Sequence, residues 1–204
     1  MTRIKICGNT EAAGVERAVE LGVDLLGFIF TRSPRRVSLD QARRLCALVP
    51  QTVGRVGVFI DEPAREIGPL VEACGLTAVQ VYRPLTPADR ALPVEWIQAA
   101  RMRDGRLDPP LQPGSAELLL VDTWTAGSDG GGSGRAWDWA GARELASRHR
   151  LLLSGGLRPQ TVRQGIETLR PWGVDVSSGV ESRPGVKDLD LLERFVEAVR
   201  EVDG

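Results

Sequence analysis

Cysteine and histidine are scarce in this chain of 204 residues. The three cysteines, Cys7, Cys46 and Cys74, lie far apart and are odd in number, which argues against a disulfide scaffold and favours a reducing compartment. His149 is the single histidine and no Cys-x-x-Cys pair occurs, so the spacing of a Cys/His zinc site is missing. Cys46 and Cys74 fall in apolar helical stripes, and we interpret both as core residues.

Net charge and long apolar runs are also lacking. The 26 basic and 27 acidic residues nearly cancel, so no global field would steer nucleic acid or an anionic membrane to the protein. No stretch approaches the ~20 apolar residues that a membrane-spanning helix needs. Charged residues recur near the N-terminus, where a secretory leader would be apolar. We therefore expect a cytoplasmic protein with no nucleic-acid, membrane or obligate protein partner.

Short apolar runs alternate with amphipathic segments along most of the chain. The runs are typical of buried strands, and the segments repeat apolar residues at helical spacing. Predicted strands lie near 3–7, 25–30, 55–60, 78–82, 94–98, 118–122, 150–154 and 174–177. Predicted helices lie at 11–21, 39–49, 64–74, 138–148, 159–170 and 188–202. Such alternation indicates a parallel sheet.

Two architectures place these strands in one sheet: a closed (β/α)8 barrel and an open doubly wound sheet. No Gly-x-Gly-x-x-Gly follows a strand, which argues against the open sheet. Barrels have a lower bound near ~200 residues, so this chain is long enough for a compact one. We predict a single (β/α)8 TIM barrel domain over 1–204. Helices 4 and 5 should be short or eroded, because 83–117 contains Pro84, Pro87, Pro93, Pro109, Pro110 and Pro113.

Two of the predicted strands end on side chains that can exchange protons. Cys7 ends the first strand, and Asp122 ends the Leu-rich strand near 118–122. Barrel enzymes build their sites at such strand ends, where a thiol and a carboxylate can act as base and acid on one substrate. Alternatively, Cys7 is a small core side chain and Asp122 caps a loop. A carboxylate that ends a buried strand needs a partner, which favours the functional interpretation.

Glycine-rich turns follow the last two predicted strands, in Ser154-Gly155-Gly156-Leu157 and Ser177-Ser178-Gly179-Val180. Such turns let backbone N–H groups approach an anion, and in barrel enzymes these two loops are the frequent phosphate site. The glycines could instead serve only tight turns. Because adjacent strand ends both carry them, we predict a phosphate site.

Two further loops adjoin these strand ends. Arg32, Arg35 and Arg36 follow the second strand, and a guanidinium there could bind a carboxylate or phosphate in a bidentate fork. A solvated basic turn is the alternative, and we expect only one of the three to reach the site. The glycine-rich loop over 123–134 directly follows Asp122 and is interpreted as a lid, with a surface loop as the alternative.

With these motifs in order from end to end, the chain resembles the phosphoribosylanthranilate isomerases of tryptophan biosynthesis, which are (β/α)8 barrels. The matching segments include Lys5-Ile6-Cys7-Gly8, Ser33-Pro34-Arg35, Val121-Asp122-Thr123, Gly131-Gly132-Ser133-Gly134, Leu153-Ser154-Gly155-Gly156-Leu157 and Val174-Asp175-Val176-Ser177-Ser178-Gly179-Val180-Glu181. The resemblance implies an Amadori rearrangement of N-(5-phosphoribosyl)anthranilate to 1-(2-carboxyphenylamino)-1-deoxyribulose 5-phosphate. It implies a small phosphorylated substrate and no cofactor or metal.

The resemblance also implies a role for each candidate residue. Asp122 would be the general acid and Cys7 the general base, and Arg35 would bind the anthranilate carboxylate. The loops after the last two strands would hold the phosphate, at Gly155, Gly156, Ser178 and Gly179.

The chain departs from the family pattern at Asn9, at Arg36 and over 80–117. Here Gln80-Val81-Tyr82-Arg83 stands where Gln-Leu-His-Gly is usual. These departures spare the acid, the base and the phosphate loops, and they bear on how the substrate is positioned. Two alternatives stay open: an isomerase of another phosphorylated aminoaldose, and a noncatalytic barrel that binds a phosphorylated ligand.

Overall fold

A computed structural model of the chain describes residues 1–103, 106–111, 116–123 and 139–204. Its strands are β1 (Arg3–Ile6), β2 (Leu25–Ile29), β3 (Gly54–Val58), β4 (Ala78–Val81), β5 (Glu95–Arg103), β6 (Arg106–Asp108), β7 (Leu118–Thr123), β8 (Arg150–Leu153), β9 (Gly173–Val176), β10 (Glu181–Arg183) and β11 (Val186–Lys187). Its α-helices are α1 (Ala12–Glu20), α2 (Leu39–Ala47), α3 (Ala64–Cys74), α4 (Pro87–Arg90), α5 (Arg143–Arg148), α6 (Val162–Leu169) and α7 (Leu189–Asp203).

A ring of parallel strands forms the centre of the molecule. The strands follow the order β4-β3-β2-β1-β9-β8-β7-β5, and β4 pairs with β5 to close the ring. β1 pairs with β2 on one side and with β9 on the other, so the two ends of the chain meet in the barrel wall. The predicted (β/α)8 barrel is confirmed.

Alternation along the strands divides the buried side chains into two layers. Ile4 and Ile6 of β1 pack in the layer between the barrel and its helices. Cys7 packs instead with the interior layer, which includes Ile97 and Leu120. Successive strand side chains point to opposite faces, so Lys5 shares the interior face with Cys7. The interior face of this segment therefore carries the Lys5 ammonium group first and the Cys7 thiol directly after β1.

Local signals set the bounds of several helices. α2 begins after Ser38, whose hydroxyl accepts a hydrogen bond from the Gln41 N–H at 3.2 Å. The predicted helix over 138–148 consists of a 3₁₀ turn, Trp139–Ala142, followed by α5. In the described ranges, no helix is long and apolar enough to cross a membrane.

The proline-rich stretch between β4 and β7 lacks regular helices. α4 spans only four residues. β5 runs to Arg103, beyond the predicted strand end near 98, because its second half pairs antiparallel with β6. In the described residues between β5 and β7, this hairpin stands where a barrel would place a helix. The prediction of short or eroded helices 4 and 5 is confirmed.

Candidate active site

A cavity that opens to solvent lies at the carboxyl ends of the barrel strands. All of the predicted site residues contribute to its wall, namely Cys7, Arg35, Asp122, Gly155, Gly156, Ser178 and Gly179. Cys7 follows β1 directly, Asp122 lies on β7, and the others come from the segments after β2, β8 and β9. The fold thus gathers residues that are up to 172 positions apart, from Cys7 to Gly179, around one volume.

Cys7 lies directly after β1 and is held by its backbone. Its N–H donates to the Val176 carbonyl at 2.8 Å, and its side chain is 6% exposed. Burial raises the pKa of the Cys7 thiol, against the opposing influence of nearby Lys5 and Lys187. The Asp175 carboxylate also raises this pKa, so charges of both signs act on a buried thiol.

Lys5 forms a buried ion pair beneath Cys7. Its Nζ lies 2.6 Å from Asp175 Oδ1, and the Ser154 hydroxyl donates to Asp175 Oδ2 at 3.1 Å. Burial lowers the pKa of Lys5, but the Asp175 carboxylate and Cys7 outweigh burial, so the net pKa lies above its ordinary value. The Lys5 ammonium group therefore lies behind the cavity wall, paired with Asp175, which lines the cavity.

Asp122 lies on β7, three strands away from β1 around the ring, and is 3% exposed. In the β5–β7 ladder it is paired in register with Arg101. The Arg101 guanidinium carbon lies 4.8 Å from the centroid of the Tyr82 ring. Asp122 thus faces Cys7 from another wall of the mouth, with an arginine and a phenol beside it.

Sequence reasoning missed Gln80, Tyr82 and Arg101 as residues of this region. Gln80 and Tyr82 line the cavity, and the Gln80 amide donates to the Tyr82 hydroxyl at 3.4 Å. Within the described ranges, the buried Gln80 Oε1 has no hydrogen-bond partner. Strict alternation along β5 would have found Arg101, because the interior side chains Ile97 and Ala99 precede it at steps of two.

The two glycine-rich loops touch each other at the rim. Gly155 and Gly156 both adopt positive φ, 87° and 72°, which turns the chain sharply after β8. A Cβ on Gly179 would lie 1.9 Å from the Leu157 carbonyl oxygen, so only glycine allows this approach. The loops after β8 and β9 therefore form one continuous backbone surface, as a phosphate cradle requires.

The arginines after β2 differ from the sequence expectation that only one would reach the site. Arg32 and Arg35 both line the cavity. Arg35 is 9% exposed, and its Nε and Nη2 donate to the Glu181 carboxylate at 2.7 to 3.0 Å. Both arginines therefore contribute to the cavity wall, Arg35 as a buried residue and Arg32 as an exposed one.

Two predictions concern parts of the site beyond these walls. The expected lid over 123–134 lies outside the described residues after Thr123. Among the residues that the structure describes, no three His, Cys, Asp or Glu side chains converge as a metal site would need.

Comparison with known proteins identifies a family for this chain. The family model for N-(5'-phosphoribosyl)anthranilate (PRA) isomerase matches residues 4–198. The isomerase of Methylibium petroleiphilum is 43% identical over 206 residues, which cover 99% of this chain and 95% of that protein.

Solved structures agree. The phosphoribosyl anthranilate isomerase of Thermotoga maritima superimposes with a TM-score of 0.85 at 34% identity, covering 98% of this chain and 100% of that one. A phosphoribosyl anthranilate isomerase solved in complex with reduced 1-(o-carboxyphenylamino)-1-deoxyribulose 5-phosphate gives a TM-score of 0.83 at 33% identity, with 98% and 100% covered. The barrel, the residues around its mouth and these matches together show that the chain belongs to the N-(5'-phosphoribosyl)anthranilate isomerase family.

Proposed function

We propose that this protein catalyses the Amadori rearrangement of N-(5-phosphoribosyl)anthranilate in tryptophan biosynthesis, with Asp122 as general acid and Cys7 as general base. The observation that carries the proposal is the convergence of these two groups and both glycine-rich loops on one cavity. An acid and a base on different walls can act on two positions of one bound sugar.

Ring opening is the first step of the proposed mechanism. Asp122 donates its proton to the furanose ring oxygen while the bond between that oxygen and C1 breaks. The nitrogen lone pair forms a C=N bond to C1, so the sugar opens to a cationic Schiff base. Arg101, in register with Asp122 on the neighbouring strand, would stabilise the carboxylate that the proton leaves behind.

Proton removal from C2 is the second step. The Cys7 thiolate takes this proton, and the C–H electron pair forms the C1=C2 double bond as the iminium electrons return to nitrogen. The resulting enolamine tautomerises to the C2 ketone of the product. Lys5 supports this step, because a buried ammonium ion next to Cys7 favours the thiolate.

The two ends of the substrate carry negative charge, and the cavity matches both. We assign the phosphate to the backbone surface at Gly155, Gly156, Ser178 and Gly179. We assign the anthranilate carboxylate to Arg35, which reaches the cavity from the loop after β2 and is bonded to Glu181 beyond the β9 loop. In this assignment two separate anchors fix the ends of the substrate and leave its sugar carbons to Cys7 and Asp122.

Turnover of freshly generated N-(5-phosphoribosyl)anthranilate, followed by its fluorescence decay, tests the proposal. We expect clear activity of the wild type and losses of at least ~10² in kcat for Cys7→Ala and for Asp122→Asn. Cys46→Ala is the matched control, because Cys46 is a buried cysteine of α2 outside the cavity wall. A wild type that binds this compound without converting it would refute the isomerase and support the noncatalytic alternative.

A further inference from the structure

The β10–β11 hairpin carries a buried carboxylate between two cations. Glu181, the first residue of β10, has 3% of its side chain exposed. Arg35 Nε donates to both of its oxygens, at 2.9 and 3.0 Å, and Arg35 Nη2 donates to Oε2 at 2.7 Å. Lys187 Nζ, from β11, lies 3.0 Å from Oε1. Neither Glu181 nor Lys187 lines the cavity, so both act from behind its wall.

Lys187 ties this carboxylate to the backbone of the site. Its Nζ donates to the Cys7 carbonyl at 2.5 Å and to the Ser177 carbonyl at 3.3 Å. The end of β1, the end of β9 and the hairpin thus share one ammonium group. Burial lowers the pKa of Lys187, whereas the adjacent Glu181 opposes that change. The three attachments hold Glu181 at a set distance from Cys7.

Arg35 reaches Glu181 by crossing the backbone at Gly8. A Cβ on Gly8 would lie 2.6 Å from Arg35 Cδ and 2.9 Å from Ser177 Oγ, so the guanidinium stem occupies the space that a side chain would take. Glu181 engages Nε and Nη2, which form one side of the planar fork. The bonds to Glu181 do not use Nη1, and Arg35 lines the cavity. The guanidinium therefore presents a second N–H edge in a defined plane.

Charge balance also favours a positioning role for Glu181. Burial alone would raise its pKa, but Arg35 and Lys187 outweigh burial and hold the pKa below its ordinary value, so Glu181 is ionised. A single carboxylate shared by two cations leaves the cluster with a net positive charge. That excess charge lies at the cavity rim on Arg35, where an anionic ligand group would neutralise it.

We propose that Glu181 is a positioning residue that orients Arg35 toward the carboxylate on the aromatic ring of the substrate. This inference rests on the proposed function, because it takes the anthranilate carboxylate as the group that Arg35 binds. In this role Glu181 acts on the substrate through Arg35, from behind the cavity wall and away from the reacting sugar. Its removal should therefore weaken recognition of the carboxylate selectively and leave the proton transfers in place.

Two substrates separate this role from a merely structural one. N-(5-phosphoribosyl)anthranilate carries the carboxylate, and N-(5-phosphoribosyl)aniline lacks it; condensation of ribose 5-phosphate with either amine supplies both. For Glu181→Gln we expect kcat/KM on the anthranilate compound to fall by at least about tenfold, mainly through KM. On the aniline compound we expect a change of no more than about twofold. Arg183→Gln, an exposed residue of the same hairpin, is the control and should alter neither.

A double-variant cycle tests whether Glu181 acts through Arg35. Arg35→Lys keeps the charge but loses the fork, so it should show the same selective loss as Glu181→Gln. The double variant should lose little beyond either single variant, since both changes remove one interaction. If Glu181→Gln does not fold, Glu181→Asp keeps the charge at a shorter reach and should give a smaller, equally selective loss.

The outcomes separate the two hypotheses. A selective loss supports the positioning role. Equal losses on both substrates, unchanged kinetics, or additive losses in the double variant would overturn it while leaving the isomerase intact. A wild type that converts neither compound would overturn the proposed function and, with it, this role for Glu181.

Discussion

Buried ion pairs lie on two sides of the barrel mouth, one pair at the cavity wall and the other outside it. On the β1 and β9 side, Lys5 pairs with Asp175 directly below Cys7, and both partners are almost fully buried. On the β4 side, Arg83 forms two bonds to Asp89, at 2.6 and 2.8 Å. Asp175 contributes to the cavity wall, whereas Arg83 and Asp89 lie outside it. Similar chemistry therefore serves the site in one region and the scaffold in the other.

The Arg83–Asp89 pair replaces the packing that a longer helix would provide. Asp89 also accepts from the Thr86 N–H and hydroxyl, both at 2.7 Å, which caps the short α4. Arg83 Nη2 donates to the Glu62 carbonyl at 2.8 Å and so fastens the segment after β4 to the loop between β3 and α3. The departure from the family pattern at Arg83 thus has a structural explanation: it stabilises a stretch in which prolines leave little helix.

Lys5→Met should have the largest effect of the changes that test this comparison. It leaves the Asp175 carboxylate buried without its cation, so the free energy of unfolding should fall by about 3–5 kcal/mol. It also removes the charge that favours the Cys7 thiolate, so kcat should fall by ~10². Urea denaturation and fluorescence-decay assays measure the two quantities.

Adding Asp175→Asn to Lys5→Met separates the two effects. The double variant buries no unpaired charge and should regain much of the stability. Its kcat should stay low, because the ammonium ion is still absent. Recovery of kcat together with stability would contradict a role of Lys5 in catalysis and make this pair structural, like the pair on the β4 side.

The pH profile of kcat/KM should report the Cys7 thiol, with an effect of intermediate size. Because the pKa of Cys7 is raised, the thiolate fraction and hence kcat/KM should rise about tenfold per pH unit below that pKa. Lys5, Asp175 and Lys187 are the charged groups that act on this thiol. Cys7→Asp should abolish the alkaline rise, since a carboxylate is ionised throughout that range.

Tyr82→Phe is the control for this profile. Burial raises the pKa of Tyr82 well above its ordinary value, and Asp122 and Cys7 raise it further. The phenol therefore stays protonated over the assay range, and its loss should leave the alkaline rise in place. If the alkaline rise disappears in Tyr82→Phe, the titrating group is Tyr82, and the prediction for Cys7 is wrong.

Asp89→Asn should have the smallest effect and should act on stability alone. Burial would raise the pKa of Asp89, but Arg83 and Thr86 outweigh burial and lower it to about 2. A carboxyl group whose pKa is depressed by folding adds stability above its unfolded pKa and loses it as the pH falls through the folded one. We expect a loss of about 1–2 kcal/mol at neutral pH, shrinking between about pH 4 and pH 2.

The turnover of Asp89→Asn provides the contrast with Lys5→Met on the β1 side of the mouth. Because Asp89 lies outside the cavity wall, kcat/KM of Asp89→Asn should stay within about twofold of the wild type at a temperature where both are folded. A selective loss of turnover would show that the β4 side also serves the reaction, and the comparison would fail.

Local patterns in the sequence predicted the elements of the fold well. Apolar runs that alternate with helical stripes gave the strands of the barrel, and the prolines of 83–117 correctly marked the two weak helices. The extra length of β5 was missed, because the pairing partner β6 is a short strand with little apolar character. Pairing between distant segments decides such a strand, and local composition does not reveal it.

The chemistry at strand ends was also readable from the sequence, but its organisation was not. Cys7, Asp122 and the glycine turns carry recognisable residue types at the ends of predicted strands, and parallel strands of a barrel present those ends at one face. Glu181 and Lys187 carry no such signal, because a charged residue in a short hairpin is ordinarily solvated. Only the folded chain reveals that Arg35 crosses Gly8 to meet them.

The sequence by itself therefore determined the barrel, the identity of the acid and base candidates, and the two glycine loops that border them. Each depends on periodicity or on residue type within a few positions, which local physics controls. Tertiary structure alone decided which charges pair. It placed Arg35 on Glu181 and Lys187 on the Cys7 carbonyl. Closing the ring brings the two chain ends into one wall. Charges buried there are shielded from water, so each needs a partner within the protein.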